Sequence, residues 1–235
     1  MKAIFLSDAH LRSAADDNYQ DLLNLLKQQH DLDALFLLGD IFEFWLGYEH
    51  LVFSAYVPLL EQLRRLKEGG TRLFYVEGNH DFTIGPYFRD TLGCTVITEQ
   101  ALIHWDHRNI LLCHGDLIHP SPGYLRLRKL WRSPLIKLLA RLIHPDLVWK
   151  FGIWLSDKGQ QKRSHHQQQD PTPWLQEFST HAVTDPCDLV ICGHFHVPVF
   201  FQQHGREVIA LGDWQTGRNY AQLIDGNISL LSYPD

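Results

Sequence analysis

The sequence predicts an α/β fold of two packed sheets with a helical insertion. Three observations predict it. Strand and helix signals alternate through the first half, short strand-like runs separated by turns fill the last third, and a basic but apolar helical block lies between them. With 235 residues and 45% apolar content the chain can bury one sizeable core. Residues 1–235 are therefore expected to form a single domain, with residues 120–172 as an insertion within it.

The elements follow in order. Ala3–Leu6 reads as a first strand. Asp16 or Asp17 then caps a helix with Leu22, Leu23, Leu25 and Leu26 on one face. Ala34–Leu38 is a second strand, and Ser54 caps a helix carrying Ala55, Leu59, Leu60, Leu63 and Leu66 inward. Gly69-Gly70 ends that helix. Leu73–Val76, Ile110–Cys113 and Leu189–Cys192 are further buried strands. Val197–Gln202, Glu207–Leu211, Tyr220–Ile224 and Asn227–Ser232 are short runs with turns at His204-Gly205 and Asp225-Gly226, which predicts a second, more antiparallel sheet on the first. The polar stretch His165–Asp170 reads as a loop.

Five of the strand-like runs end in metal-ligand residue types: Asp8-Ala9-His10, Gly39-Asp40, Gly78-Asn79-His80-Asp81, His114-Gly115-Asp116 and Gly193-His194-Phe195-His196. Ligands of open α/β sheets bind at the carboxyl ends of strands. Oxygen and imidazole donors without thiolate suit two divalent ions, about 3.5–4 Å apart, and hydrolysis of a phosphate ester. In an extended chain residues i and i+2 point to the same side, so the D-x-H spacing predicts a carboxylate and an imidazole at one ion. Singly, each residue has a plainer use: Asp8 as a helix cap, Asn79 in a turn, His114 as a satisfied core histidine. Asp116 reads equally as a turn residue or as a carboxylate orienting an imidazole.

The pattern D-x-H, G-D, G-N-H-[DE], H-G-D, G-H-x-H resembles the calcineurin-like metallophosphoesterase superfamily over positions 8 to 196. The resemblance implies a two-sheet αββα sandwich with a helical lid. It implies Asp8, His10 and His196 at the first metal, Asn79, His114 and His194 at the second, and Asp40 between them. His80, with Asn79, would stabilise charge or donate a proton at the reacting phosphate, and Asp81 would orient His80 or pack locally. Two divalent ions are implied; Mn(II) is the expected metal, and Fe, Zn, Co or Ni fit the same donors.

Substrate choice falls to the insertion. Tyr124–Arg163 holds ten Lys/Arg against two acids, a charge of +8 inside a chain of −6. Its cations interleave with Leu, Ile, Phe and Trp, too apolar for a purely electrostatic arm, so nucleic acid is disfavoured as partner. Basic, Trp-bearing amphipathic segments suit an anionic membrane surface or an acyl chain with an anionic head group. A helical cap with solvated cations is the plainer reading. Leu38–Gly47, Asn79–Phe82 and Gly123-Tyr124 resemble the UDP-2,3-diacylglucosamine hydrolase branch of the superfamily. That resemblance implies a nucleotide-linked lipid substrate in lipid A synthesis and a cytoplasmic enzyme peripheral to the inner membrane of a Gram-negative bacterium. Tyr124, Lys158, Lys162 and Arg163 are the expected head-group contacts. His80 stands where that branch carries Arg, and Ser156-Asp157-Lys158 where it carries Asn-Ser-Lys. Another phosphodiesterase, or a non-catalytic metal-binding adaptor, are the other readings the residues allow. No run approaches the ~18 apolar residues of a membrane span. Cys94, Cys113, Cys187 and Cys192 form no C-x-x-C pair and read as reduced packing residues of a cytosolic protein.

Overall fold

Two mixed sheets pack face to face in the computed structural model, which describes residues 1–163, 169–181 and 186–234, the side chains of 160–163 excepted. The first sheet has the order β11-β10-β1-β2-β3-β4, with β1 Lys2–Leu6, β2 Ala34–Leu37, β3 Arg72–Val76, β4 Thr95–Ile97, β10 Asn219–Ile224 and β11 Asn227–Ser232. The second has the order β5-β6-β7-β9-β8, with β5 Gln100–Trp105, β6 Arg108–Cys113, β7 Leu189–Cys192, β8 Pro198–Gln203 and β9 Arg206–Leu211. All strands read from the sequence form. The late strands do not make one sheet, however. β8 and β9 join the second sheet, while β10 returns to pair antiparallel with β1 and carries β11 with it. The hairpin signal fixes which strands are neighbours in sequence, not which edge receives them.

Alternation decides the layers. Ala3 and Phe5 face the second sheet, while Ile4 and Leu6 face the helices. Phe5, Phe36 and Phe74 stand in register on neighbouring strands and stack at 4.6 and 4.5 Å, with Trp105 of the second sheet edge-on to Phe36. On the outer face of the first sheet lie α1 (Asp17–Lys27) and α2 (Val57–Glu68), which bury the leucines expected of them. Ser54 opens a short 3-10 turn, Ser54–Tyr56, and α2 starts after it, with Pro58 in its first turn. Helix α6 (Thr172–His181), which no sequence signal had marked, covers the second sheet through Leu175.

The insertion is three helices: α3 (Pro122–Trp131), α4 (Pro134–Leu142) and α5 (Pro145–Arg163). Ser121 and Ser133 cap the first two. Trp149 packs on Phe53 and Tyr56 at 4.7 and 5.3 Å, and Gly152 lies so close to Phe44 that a Cβ would meet its ring at 2.4 Å. Ion pairs from Arg128 to Asp116 (3.1 Å) and from Arg132 to Glu77 (2.8 Å) hold the helices at the core's edge. His165, His166, Gln167 and Gln168 lie outside the described residues. No helix among the described residues is long and apolar enough to cross a membrane. All four cysteines are buried and free.

Candidate metal centre

Five strand ends meet at one edge of the sandwich. Asp8 and His10 follow β1, Asp40 follows β2, Asn79 and His80 follow β3, His114 follows β6, and His194 and His196 follow β7. Parallel pairing of β1 with β2, β2 with β3, and β6 with β7 aligns these ends. Backbone pairing continues into the loops: Asp8 N–H donates to Gly39 O, His10 N–H to Asp40 O, and Gly193 N–H to His114 O. All seven residues expected as ligands come together.

The loops are not extended. Asp8, His10, Asp40, His194 and His196 adopt positive φ of 52°, 45°, 53°, 72° and 57°. The same-side argument for D-x-H therefore does not hold: the chain turns at each ligand, and the bonds to β2's loop keep the two side chains together. Such conformations cost of order 1–3 kcal/mol each and persist only where surroundings enforce them.

Asp8 Oδ2 accepts from His194 N–H at 2.8 Å, and its Oδ1 lies 3.4 Å from His196 Nε2. Asp40 Oδ1 accepts from His80 N–H at 2.8 Å. Its Oδ2 lies 3.6 Å from His114 Nε2, 3.9 Å from His10 Nε2 and 4.0 Å from His80 Nε2. Asp8 Oδ1 and Asp40 Oδ2 are buried and accept no hydrogen bond. His114 Nδ1–H donates to Leu38 O at 2.8 Å, which fixes the tautomer and leaves Nε2, 3.2 Å from Asn79 Oδ1, as a lone-pair donor. The ring of His10 stacks on His196 at 5.3 Å, and that of His194 stands edge-on to His114 at 5.1 Å. Asp8, His10 and His196 form one group able to hold a cation; His10, Asp40 and His80 form a second, and Asp8, Asp40 and His114 a third. Burial opposes ionisation of Asp40, yet His114, His80 and His10 hold its carboxyl well below the usual range. Burial raises the Asp8 carboxyl. An oxygen–imidazole set with two buried, unsatisfied carboxylate oxygens fits divalent cations.

Around this cluster stand residues the sequence reading missed or misplaced. Asp213 follows β9, with Oδ2 3.8 Å from His196 Nδ1. Burial works against it, but His196, Thr216 and the Gly217 N–H hold its carboxyl down at about 2. Leu211-Gly212-Asp213 repeats the signature of Leu38-Gly39-Asp40, so a sixth strand-end cluster was there to be found. Glu43, fully buried, lies 3.8 Å from His10 Nδ1 and accepts from Ser156 Oγ; it falls within Leu38–Gly47 but at no metal-ligand spacing. Asp81 does not orient His80. It accepts from the N–H groups of Asp40, Ile41 and Gly78 and from Tyr75 Oη, and so ties the β2 and β3 loops together. Burial and repulsion from Asp40 push its carboxyl up to about 6. Asp116 orients no imidazole; it accepts from Tyr124 Oη at 2.5 Å and Arg128 Nε at 3.1 Å, anchoring α3. Gly39 has φ +84°, and a Cβ there would meet His114 Nδ1 at 2.6 Å and Gly78 Cα at 2.8 Å. Gly39→Ala is expected to cost about 2 kcal/mol or more in a urea unfolding titration.

Beside the centre opens a cavity of about 730 Å³ between the core and α3–α5. Asn79, His80, Glu43 and Tyr124 line its inner end, and Ile136, Ala140, Val148 and Phe151 its walls. Its two lining arginines, Arg128 and Arg132, are both paired with carboxylates. Of the expected head-group contacts, Tyr124 lines the cavity; Lys158 is exposed and does not. The side chains of Lys162 and Arg163 lie outside the described residues.

The calcineurin-like phosphoesterase family model matches residues 1–198. A UDP-2,3-diacylglucosamine hydrolase of Chromohalobacter salexigens is 31% identical over 230 residues, spanning 94% of this chain and 92% of its own. The one of Tolumonas auensis is 32% identical over 253 residues, spanning 100% of this chain and 98% of its own. Among solved structures, an archaeal phosphodiesterase superposes with a TM-score of 0.51 at 14% identity, covering 98% of this chain and 99% of that one, a likeness of fold alone.

Proposed function

The chain belongs to the calcineurin-like phosphoesterase family, and from that premise we propose that it hydrolyses the pyrophosphate bond of UDP-2,3-diacylglucosamine to UMP and 2,3-diacylglucosamine 1-phosphate. The observation that carries this reading is the apolar cavity of about 730 Å³ that ends on Asn79 and His80. Its size suits an acyl-bearing ligand rather than a bare nucleotide or a nucleic-acid strand. Relatives of that name, about 30% identical over nearly the whole chain, support the same substrate.

In this reading Asp8, His10 and His196 would hold one divalent cation and Asn79, His114 and His194 the other, with Asp40 available to both. Divalent cations held there supply Lewis acidity to the phosphoryl oxygens and the attacking water. Mn(II) is the metal we propose, on the oxygen and imidazole donors. The chain's own groups do the rest. His80 Nδ1–H donates to the Glu43 backbone O at 2.9 Å, which directs Nε2 toward the centre, beside the leaving oxygen. Asn79 orients a phosphoryl oxygen through its amide. The cavity walls seat the acyl chains and keep water off them, and Tyr124 borders the head group. Residues 120–172 serve as the lid. Exposed Leu135, Leu138, Leu142 and Trp154 stand among Lys137 and Arg141, a surface that supports docking on the anionic inner membrane.

The test is UMP release from UDP-2,3-diacylglucosamine in detergent with Mn(II), followed by chromatography. Turnover is expected, with loss on chelation and recovery when Mn(II) is restored. Absence of UMP from protein loaded with two metal equivalents would sink the assignment.

A further inference from the structure

The insertion meets the centre along one stripe of α3. Tyr124, Arg128 and Arg132 recur at every fourth position and share a face, and all three line the cavity. Their polar ends turn to the core. Tyr124 Oη and Arg128 Nε both donate to Asp116, two residues past His114. Arg132 Nη1 donates to Glu77 Oε2 at 2.8 Å, and its Nη2 donates at 3.4 Å to the carbonyl of Gly78, the residue before Asn79. The guanidinium lies over the Phe82 ring, 5.9 Å from its centre. Glu77 in turn accepts from the Ile84 N–H at 3.0 Å. Arg132 and Glu77 therefore clasp both ends of the loop 78–84, which carries Asn79 and His80.

We propose that Arg132 is a positioning residue for the second cation: it fixes the loop that presents Asn79 and, through α3, ties that loop to the one that presents His114. This rests on the reading of the centre as a two-cation site. Three observations carry it. Asn79 Oδ1 and His114 Nε2 come within 3.2 Å although they follow strands of different sheets; β3 pairs with β2 and β4, and β6 with β5 and β7. Helix α3 is bonded to both loops through Arg132 with Glu77 and Arg128 with Asp116, side chains that are largely buried and so little screened. The Arg132 contact is a planar fork onto a carboxylate and a carbonyl, a geometry that an ammonium does not reproduce. The first cation's side is held by another helix: Arg12 pairs with Glu43 at 3.1 Å and with Asp157 of α5 at 2.6 Å. Loss of the Arg132 clasp should therefore fall on one cation and spare the other.

The experiment is calorimetric titration of metal-free protein with Mn(II), in which His194→Ala marks the step that belongs to the second cation. Arg132→Met should raise the Kd of that step about tenfold or more and leave the other within about twofold. Arg132→Lys keeps a charge beside Glu77 but loses the fork, so its Kd should fall between those of Arg132→Met and the unaltered protein. Trp149→Leu loosens α5 from Phe53 and Tyr56 without touching either loop and should move neither step. A residue that only pins the lid predicts the reverse: unchanged Mn(II) binding in Arg132→Met with a raised KM for the acylated substrate. That result overturns the proposal, as does equal weakening of both steps. UMP release by the unaltered protein is scored separately. Absent UMP with the Kd pattern intact rejects the substrate and keeps the role of Arg132; UMP release without the pattern rejects that role alone. A single Mn(II) step in the unaltered protein rejects the two-cation reading and this proposal with it.

Discussion

Asp40→Asn is expected to reduce hydrolysis about 10³-fold or more while the fold survives. The reason is local. Asp40 is fully buried, its Oδ1 fixed by the His80 N–H and its Oδ2 turned toward three imidazoles at 3.6–4.0 Å. It is the carboxylate placed to face both halves of the centre. An amide keeps the shape and one acceptor but removes the charge that would serve the proposed pair of cations, and the loss of several kcal/mol of electrostatic stabilisation corresponds to about three powers of ten or more in rate. Mass spectrometry of the native protein should find fewer than two metals bound, and circular dichroism should be unchanged. Activity within tenfold of the unaltered protein, at full metal content, would remove Asp40 from the centre.

The second large effect concerns the cavity. Each buried methylene contributes about 0.8 kcal/mol, so a substrate stripped of both acyl chains should lose at least 10³-fold in kcat/KM. The protein-side counterpart is Val148→Asp. Val148 lines the cavity wall, and a carboxylate there would be buried beside acyl chains without a partner. KM for the long-chain substrate should rise about a hundredfold, with turnover of a deacylated analogue unchanged. Equal losses on both substrates would place the defect in the metal centre or the fold, and the cavity would no longer be the acyl site.

Much of the centre was legible before any fold was known, because its ligands cluster in short runs after strands. Asp8 with His10, and His194 with His196, are each two residues apart, and such local patterns survive without tertiary information. Asp213 carries the same Leu-Gly-Asp signature after β9 that Asp40 carries after β2. Glu43 and Arg12 carry no metal-ligand spacing of their own: α5 brings Ser156 and Asp157 to them from 113 and 145 positions away. The edge that β10 and β11 occupy was equally hidden, since a hairpin pattern is symmetric between two sheets.

The sequence by itself determined the two-sheet α/β class, the strand-end clusters in which the family resemblance picks out seven candidate ligands, and the apolar, basic character of the insertion. Those follow from residue type, period and spacing, which are local quantities. Only the tertiary structure decided what lies between the insertion and the core. The backbone turns left-handed at five ligands, Asp81 binds the β2 loop rather than His80, and a cavity opens on Asn79 and His80. Each depends on contacts between segments far apart in the chain, and burial, not sequence distance, sets which of those contacts form.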